Sequence, residues 1–283
     1  MIKNKDSLKA KVANLSKKTN ISNKYIIQEF MFEALLKRIS ASKYKEKFII
    51  KGGFLLSSIF GVNLRSIRDL DTTIKGIPLT RKSLEKIINE IITININDNI
   101  NFKLENIKDI RLEEEYSGYN VNLKVEFDGL RTNLMIDVTT GDAITYSETE
   151  YQYKTIFDNE TINIMTYNFE TIIAEKLESI LSRNIENTRM KDYYDLYMFV
   201  NFKWDDIDKK ELLEAIKQTS IKRKTEDYIL NAYKYIELIE DDNKLKQLWK
   251  SYTLVYSYAN DISFDDTIKA IKTICKVLEL VEV

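Results

Sequence analysis

The 283-residue sequence contains no histidine and one cysteine, Cys275. Without histidine the chain cannot build a Ser-His-Asp or Cys-His nucleophile pair or a His-ligated zinc site. A general base must then be a carboxylate, a lysine or a metal-bound hydroxide. A single cysteine forms neither an internal disulfide nor a Cys-based zinc site. Carboxylates, lysines and hard metal ions therefore remain as the candidate chemistry.

Long apolar runs are also missing from the sequence. No stretch approaches the roughly 18 apolar residues of a transmembrane helix, and the N-terminal residues lack the apolar segment of a signal peptide. We therefore expect a cytoplasmic protein that makes no membrane contact.

Glycine and proline are scarce and confined to one half of the chain. All seven glycines and the single proline lie at or before residue 141, so the second half can form long helices. Residues 1–141 carry a net charge of +7 and residues 142–283 carry −8. We predict an α+β fold, with a basic domain of mixed sheet and helices over residues 1–150 and an acidic, mainly helical domain over residues 151–283. Three interpretations of the opposite charges stay open. They attract the two halves to each other, they guide a polyanion to the basic half, or they belong to two solvated surfaces and have no further role.

Helical and strand periodicities can be read in order along the chain. Clean alternation on both sides of the turn-forming pair Asp128-Gly129 predicts a β-hairpin, and Thr80 is a suitable N-cap for a helix. The predicted elements are a helix over residues 22–41, a glycine-opened helix within 51–60, a strand over 69–75, a helix from 81 to about 94, strands over 121–127 and 130–138, a small hairpin over 153–165, and helices from 168 onward.

Three aspartates provide the candidate catalytic chemistry. Asp69 and Asp71 are two residues apart on a predicted strand, so both side chains project from one face. Asp137 ends the strand that follows the hairpin, between the apolar residues Ile136 and Val138. Two carboxylates on one strand and a third on a neighbouring strand are suited to hold two Mg2+ ions about 4 Å apart, because Mg2+ prefers oxygen ligands and keeps substrate phosphates. The alternative is an acidic strand edge exposed to solvent.

A glycine pair lies upstream of these aspartates. Gly52 and Gly53 open a predicted helix, where glycine lets the backbone approach phosphate and the helix N-terminus favours an anion. Arg65 and Arg68 lie in the connector that leads to the aspartates. We predict that Gly52, Gly53 and Arg65 contribute to nucleotide binding.

The order of these features resembles the nucleotidyltransferase beta superfamily over roughly residues 48–140. The commonest superfamily form has Gly-Ser in the helix-opening turn. Here Gly53 replaces the serine and would contribute its backbone amide instead of a hydroxyl. Four separated segments resemble motifs of the AbiEii abortive-infection toxin family, namely residues 48–56, 65–71, 174–183 and 189–196.

The resemblance implies an NTP-dependent transferase that halts growth and is encoded with an antitoxin. It also implies an RNA substrate, because some family members add nucleotides to tRNA acceptor ends.

Two charged residues in the C-terminal motifs are candidate site residues. Lys176 falls on the apolar stripe of its predicted helix, where an ammonium is costly unless an anion meets it. That anion is a triphosphate in a functional role and a protein carboxylate in a structural one, unless the side chain snorkels to solvent. Asp192 would position the attacking hydroxyl or act as its base, unless it only pairs with Arg189. Lys191 is a further candidate for triphosphate binding.

The sequence therefore predicts a Mg2+-dependent nucleotidyltransferase that transfers NMP from an NTP to a hydroxyl. Asp69, Asp71 and Asp137 are the predicted metal ligands, and Lys176 and Asp192 complete the catalytic set. The predicted acceptor is a tRNA or other RNA end, from the resemblance and from the first 51 residues, which hold 13 basic and 4 acidic side chains. Two alternatives stay open: NMP transfer to a protein or small molecule, and a non-catalytic nucleotide-binding regulatory module.

Overall fold

Helices and strands are mixed in the first part of the chain, and in the described residues after Thr166 only helices follow. The structure, a computed structural model, describes residues 2–61, 69–110, 118–140 and 148–281. Within these ranges the elements are α1 (Lys5–Thr19), α2 (Asn23–Ala41), β1 (Phe48–Lys51), α3 (Gly52–Phe60), β2 (Leu70–Ile74), α4 (Arg81–Ile92), β3 (Ile100–Ile110), β4 (Gly118–Phe127), β5 (Leu130–Thr139), β6 (Thr149–Lys154), β7 (Thr161–Thr166), α5 (Phe169–Arg183), α6 (Met190–Phe202), α7 (Lys209–Arg223), α8 (Glu226–Leu230), α9 (Ala232–Asp241), α10 (Asn243–Val255) and α11 (Phe264–Cys275).

The seven strands form one mixed sheet in the order β3-β4-β5-β2-β1-β7-β6. Antiparallel pairing joins β3 to β4, β4 to β5, β1 to β2 and β6 to β7. The contacts of β2 with β5 and of β1 with β7 are parallel, so strands that are distant in sequence meet in the middle of the sheet. The architecture confirms the predicted α+β class.

Local sequence signals account for several element boundaries. Asp128 and Gly129 have positive φ angles of 48° and 76°, which suits a two-residue turn between antiparallel strands. The Thr80 side chain accepts a hydrogen bond from the Ser83 amide, and the Ser83 side chain accepts one from the Thr80 amide, so a reciprocal cap starts α4. The side chain of Asn168 caps α5.

The chain divides into two compact units. Among the described residues, the first unit extends through residue 140 and includes Glu148–Thr166, and the second begins at Tyr167. The sequence placed the boundary at residue 150, whereas the structure puts residues 151–166 with the first unit. Strand pairing is the reason, because β7 lies parallel beside β1 in the sheet.

Helices of the first unit cover one face of the sheet. Along β2, Leu70, Thr72 and Ile74 are almost fully buried. Phe54 of α3 is also buried and stacks on Tyr153 of β6, with 5.3 Å between the ring centroids. Because side chains alternate along a strand, Asp71 projects from the opposite face.

The second unit has its own helical core. Tyr193 and Tyr194 of α6 are buried in it, and burial raises the pKa of the Cys275 thiol to about 12, so this cysteine behaves as an apolar side chain. In the described ranges no helix combines the length and the apolar character needed to cross a membrane. Other core side chains of this unit are Leu177, Ile180, Leu196, Phe199, Ile268 and Ile271.

Two glutamates of α2 are buried in the first unit. Glu29 and Glu33 are each 3% exposed, and the Tyr153 hydroxyl lies 3.3 Å from Glu29 Oε1 and 3.1 Å from Glu33 Oε1. Burial raises the pKa of Glu29 to about 7 and that of Glu33 to about 8. The folded protein therefore retains protons that the unfolded chain releases near pH 4.3.

Replacing Glu33 with glutamine should weaken the pH dependence of stability. In the wild type, the free energy of unfolding should fall between about pH 4.3 and pH 8, by on the order of 1.4 kcal/mol per pH unit for each retained proton. Glu33→Gln removes one titrating group, so its curve should be flatter and higher at pH 8. Urea unfolding from pH 5 to pH 8.5, with the exposed Glu46→Gln as control, measures this. Parallel curves for wild type and Glu33→Gln would contradict it.

Candidate active site

Four polar side chains lie at the same level on four adjacent strands. Asp71 of β2 pairs in register with Lys51 of β1 on one side and with Asp137 of β5 on the other. Asp137 in turn pairs with Asn120 of β4. Register partners project from the same face of a sheet, about 4.8 Å apart between neighbouring strands. The four residues therefore form a continuous row, which we call the polar row.

Asp69 lies at the edge of the polar row. It comes immediately before β2, two residues ahead of Asp71, and is therefore displaced by one pleat on the same side of the strand. The side chains of Asp69, Asp71 and Asp137 are all half-buried. The structure thus places the three predicted aspartates on one face of the sheet.

Gly52 has a geometric reason to be glycine. Its φ angle is +69°, and a Cβ built on it would overlap Oδ2 and Cγ of Asp71. The Asp71 carboxylate therefore rests directly against the first turn of α3, which begins at Gly52. Gly53 is the second residue of that turn, so its backbone amide belongs to the helix N-terminus, where anions are favoured.

Replacing Gly52 with alanine should displace the Asp71 carboxylate. We expect at least about 10²-fold loss of nucleotidyl transfer, about 2.7 kcal/mol of transition-state stabilisation. The control is Gly129→Ala, because Gly129 has a φ angle of +76° with nothing within 4 Å of its added Cβ. Both variants pay the cost of a positive φ, roughly 1–2 kcal/mol of stability, but only Gly52→Ala disturbs the carboxylate. Equal rates in the two variants would separate Gly52 from the site.

Lys51 and Asn120 belong to the polar row but are absent from the sequence-derived set. Lys51 is only 9% exposed, and its Nζ donates to Thr139 Oγ1 at 3.1 Å. Asn120 Nδ2 donates to Asp137 Oδ1 at 2.6 Å. The position of Lys51 directly before Gly52 and Gly53 is the only feature of the sequence that could have indicated a place in the site. Nothing local in the sequence marks Asn120, because its relation to Asp137 is a cross-strand one.

The donor set of the polar row suits a hard divalent cation. Its carboxylates offer the oxygen ligands that Mg2+ prefers, and their half-exposed position gives phosphate oxygens access. In residues 2–61, 69–110, 118–140 and 148–281, no group of three or more acidic or cysteine side chains is already arranged as a metal-binding cluster.

Lys176 of the second unit lies in a buried ionic cluster. Its Nζ is 2.9 Å from Asp192 Oδ1 and 2.6 Å from Asp195 Oδ2, while Arg189 Nε donates to Asp192 Oδ2 at 2.7 Å. The side chains of both aspartates are 1% exposed and that of Lys176 is 12% exposed. Lys176 therefore has carboxylate partners within its own unit. This is the arrangement expected if its place on the apolar stripe of the helix has a structural role.

Charge within this cluster controls the protonation of Asp192. Burial acts to raise its pKa, but the Lys176 ammonium and the Arg189 guanidinium outweigh that effect and hold the pKa below its ordinary value. The neighbouring Lys191 has an exposed side chain. Arg65 and Arg68, the other cations considered from sequence, lie outside the described residues.

Comparison with solved structures supports the description of the fold. A Helicobacter pylori protein, described as a candidate nucleotidyltransferase, matches 93% of this chain and 100% of its own with a TM-score of 0.50 and 17% identity. JHP933 from Helicobacter pylori matches 92% of this chain and 95% of its own, with a TM-score of 0.49 and 18% identity. The first match shows that the chain has the fold of that nucleotidyltransferase-type protein.

The family follows from sequence. The profile described as nucleotidyl transferase AbiEii toxin, Type IV TA system, matches residues 34–270. Because the match spans most of the chain, the protein belongs to the AbiEii family of nucleotidyltransferase toxins, and the resemblance drawn from the four motifs is confirmed. No curated protein sequence gives a significant match.

Proposed function

We propose that this protein is a toxin enzyme that transfers NMP from an NTP to the hydroxyl of an RNA end, with a tRNA acceptor terminus as the preferred substrate. The observation that carries the proposal is the in-register placement of Asp71 and Asp137 on adjacent parallel strands, with Asp71 against Gly52. Membership of the AbiEii family supports the transferase activity and the toxic effect. The proposed consequence for the cell is growth arrest within a toxin–antitoxin or phage-defence system.

Asp69, Asp71 and Asp137 would hold Mg2+ in this proposal. Bound Mg2+ would supply charge neutralisation at the phosphates and a lower pKa for the attacking hydroxyl. The protein's own part is to fix the three carboxylates on one sheet face and to keep the glycine turn open beside Asp71. The backbone amides at the start of α3 would contact the phosphates, as helix N-termini do.

The proposed transfer needs no reagent other than the NTP and the acceptor hydroxyl. The acceptor oxygen forms a bond to the α-phosphorus, the bond from that phosphorus to the oxygen bridging the β-phosphorus breaks, and pyrophosphate leaves. The hydroxyl proton passes to water or to a base. Positioning and charge complementarity would carry most of the rate enhancement, as in phosphoryl transfer generally.

Lys176 remains a predicted contact for the triphosphate. Asp192 was predicted to position the attacking hydroxyl or to act as its base, and we now propose that it positions Lys176. Asp192 is a weak base because its pKa is lowered, and its two carboxylate oxygens contact Lys176 and Arg189. If Asp192 accepted a proton, it would lose the negative charge that holds Lys176 and Arg189. Lys191 and Arg65 are proposed as additional cations for the triphosphate.

The first helices support an RNA acceptor. Lys9, Lys17 and Lys18 of α1 and Lys24 of α2 are exposed, so this part of the surface offers positive charge to a polyanion. Each phosphate contact releases condensed counterions, which makes RNA affinity salt-dependent.

Incubation of the full chain with total tRNA and each α-32P-labelled NTP in turn tests the proposal. The expected result is label in tRNA with one preferred NTP, and none from γ-labelled NTP, because pyrophosphate leaves. Label in the toxin, in another protein or in a small molecule would move the assignment to that acceptor class. Binding of NTP without any transfer would instead favour a regulatory nucleotide-binding module.

A further inference from the structure

Three asparagine side chains form a hydrogen-bonded chain that ends on Asp137. Asn122 Nδ2 of β4 donates to Asn106 Oδ1 of β3 at 3.0 Å and to Asn120 Oδ1 at 2.7 Å. Asn120 Nδ2 then donates to Asp137 Oδ1 of β5 at 2.6 Å. The chain therefore crosses three strands and terminates on a carboxylate of the polar row.

The chain fixes the orientation of the Asn120 amide. An ionised carboxylate only accepts hydrogen bonds, so the Asn120 amino group must face Asp137 and its carbonyl must face Asn122. Acceptance at the carbonyl also polarises the amide and strengthens its donation. In the described ranges, Asn120 is the side-chain partner of Asp137, and it engages Oδ1. As far as the described residues show, this contact leaves the second oxygen, Oδ2, to a cation or a substrate.

We propose that Asn120 is a positioning residue that orients the Asp137 carboxylate for the transfer reaction, supported by Asn122. The inference rests on the proposed function. A carboxylate at a strand surface rotates over a broad range about its terminal torsion, and a hydrogen bond to one oxygen removes that freedom. Hydrogen-bonded partners of ligating carboxylates typically change metal affinity or activity by about 10–100-fold when they are removed.

A purely structural role explains the asparagines poorly. Asparagine is depleted in strands, because it packs badly on a pleated surface. Asn106 is exposed, and Asn120 and Asn122 are half-buried, so the chain contributes little apolar burial. Strands β4 and β5 are already held by a register that runs without a break from Gly118 to Phe127.

The test compares Asn120→Ala and the equally sized Asn120→Leu with Asn133→Ala in the full-length protein. Asn133 is an exposed residue of β5, so it controls for an Asn→Ala change on the same sheet. Mn2+ binding is measured by electron paramagnetic resonance with a non-hydrolysable α,β-methylene NTP present, alongside the thermal midpoint.

The Asn120 variants should bind Mn2+ about 10–100-fold more weakly, with a thermal midpoint close to that of Asn133→Ala. In transfer assays the Mg2+ concentration for half-maximal rate should rise by a similar factor, and kcat at saturating Mg2+ should fall much less. Asn122→Ala should show the same change at smaller size.

Mn2+ affinity and Mg2+ dependence within twofold of wild type in both Asn120 variants would overturn the inference, as would a loss explained by a lowered midpoint in both. Asp137→Asn separates this failure from that of the proposed function. If Asp137→Asn abolishes transfer and the Asn120 variants do not change it, only the positioning role is lost. If the wild type transfers no label to any acceptor, the proposed function itself fails.

Discussion

Replacing Asp71 with asparagine should reduce nucleotidyl transfer by at least about 10³-fold, which corresponds to about 4 kcal/mol of transition-state stabilisation. The substitution keeps the shape of the side chain, so the contact with Gly52 and the pairing of β2 with β5 should persist. It removes the negative charge from the centre of the polar row, and a neutral amide is a poor ligand for a hard divalent cation. The rate is measured with saturating NTP and excess Mg2+.

The control for Asp71→Asn is Asp109→Asn. Asp109 is an exposed residue of β3 that pairs with Arg81, and its replacement should leave the transfer rate within about twofold, since exposed ion pairs contribute little. Asp69→Ala should be as inactive as Asp71→Asn, and Asp137→Asn should lose at least about 10²-fold. Near-wild-type transfer by Asp71→Asn would remove the polar row from catalysis.

Lys176→Ala should lower the free energy of unfolding by about 3–5 kcal/mol, because it leaves the buried carboxylates of Asp192 and Asp195 without their shared cation. The free energy of unfolding is measured by urea titration at neutral pH. The exposed Lys210→Ala on α7 is the control, and its effect should stay within about 0.5 kcal/mol.

A compensated variant distinguishes charge from packing in this cluster. Combining Lys176→Met with Asp192→Asn and Asp195→Asn removes the cation and both anions, and stability should recover most of the loss. The pKa of Asp192 is lowered in the folded state, so its contribution is present above the ordinary aspartate pKa near 3.9 and disappears as the pH falls below it. Equal destabilisation of Lys176→Ala and the triple variant would show that packing, not charge, holds the cluster.

The same Lys176→Ala sample also tests the assigned contact with triphosphate. NTP affinity is measured at a temperature where the variant is folded and is corrected for the folded fraction. A charge-assisted contact predicts a loss of roughly 2–4 kcal/mol, and Lys176→Arg should restore little of it. Unchanged affinity per folded molecule would limit Lys176 to a structural role.

Local chemistry made much of the fold predictable. The Asp128-Gly129 hairpin, the cap at Thr80 and the glycine-opened helix each depend on residues close together in sequence, and each is present. Strand β1 was not predicted, because its three apolar residues before Lys51 are too few to show a period. The N-terminal helix α1 was missed as well, since it presents few apolar side chains.

The polar row could be predicted only in part. The spacing of Asp69 and Asp71 is visible locally, and the hairpin indicates where Asp137 falls. The parallel register of β2 with β5 joins segments more than sixty residues apart, and no short-range pattern encodes it. The same limit applies to Lys176. Its place on the apolar stripe of the helix indicated that burying its ammonium needs an anion, but not that Asp192 and Asp195 are the partners.

The polar row also has a consequence for synthesis of the chain. Its members are residues 51, 71, 120 and 137. Strand β5, which carries Asp137 and lies between β4 and β2 in the sheet, is the last of the four strands to be synthesised. A nascent or prematurely terminated chain that ends before β5 has Asp69, Asp71, the glycine turn and strand β1, but it lacks Asp137 and the parallel partner strand of β2. Under the proposed function, we therefore expect a chain that ends before β5 to have no transferase activity.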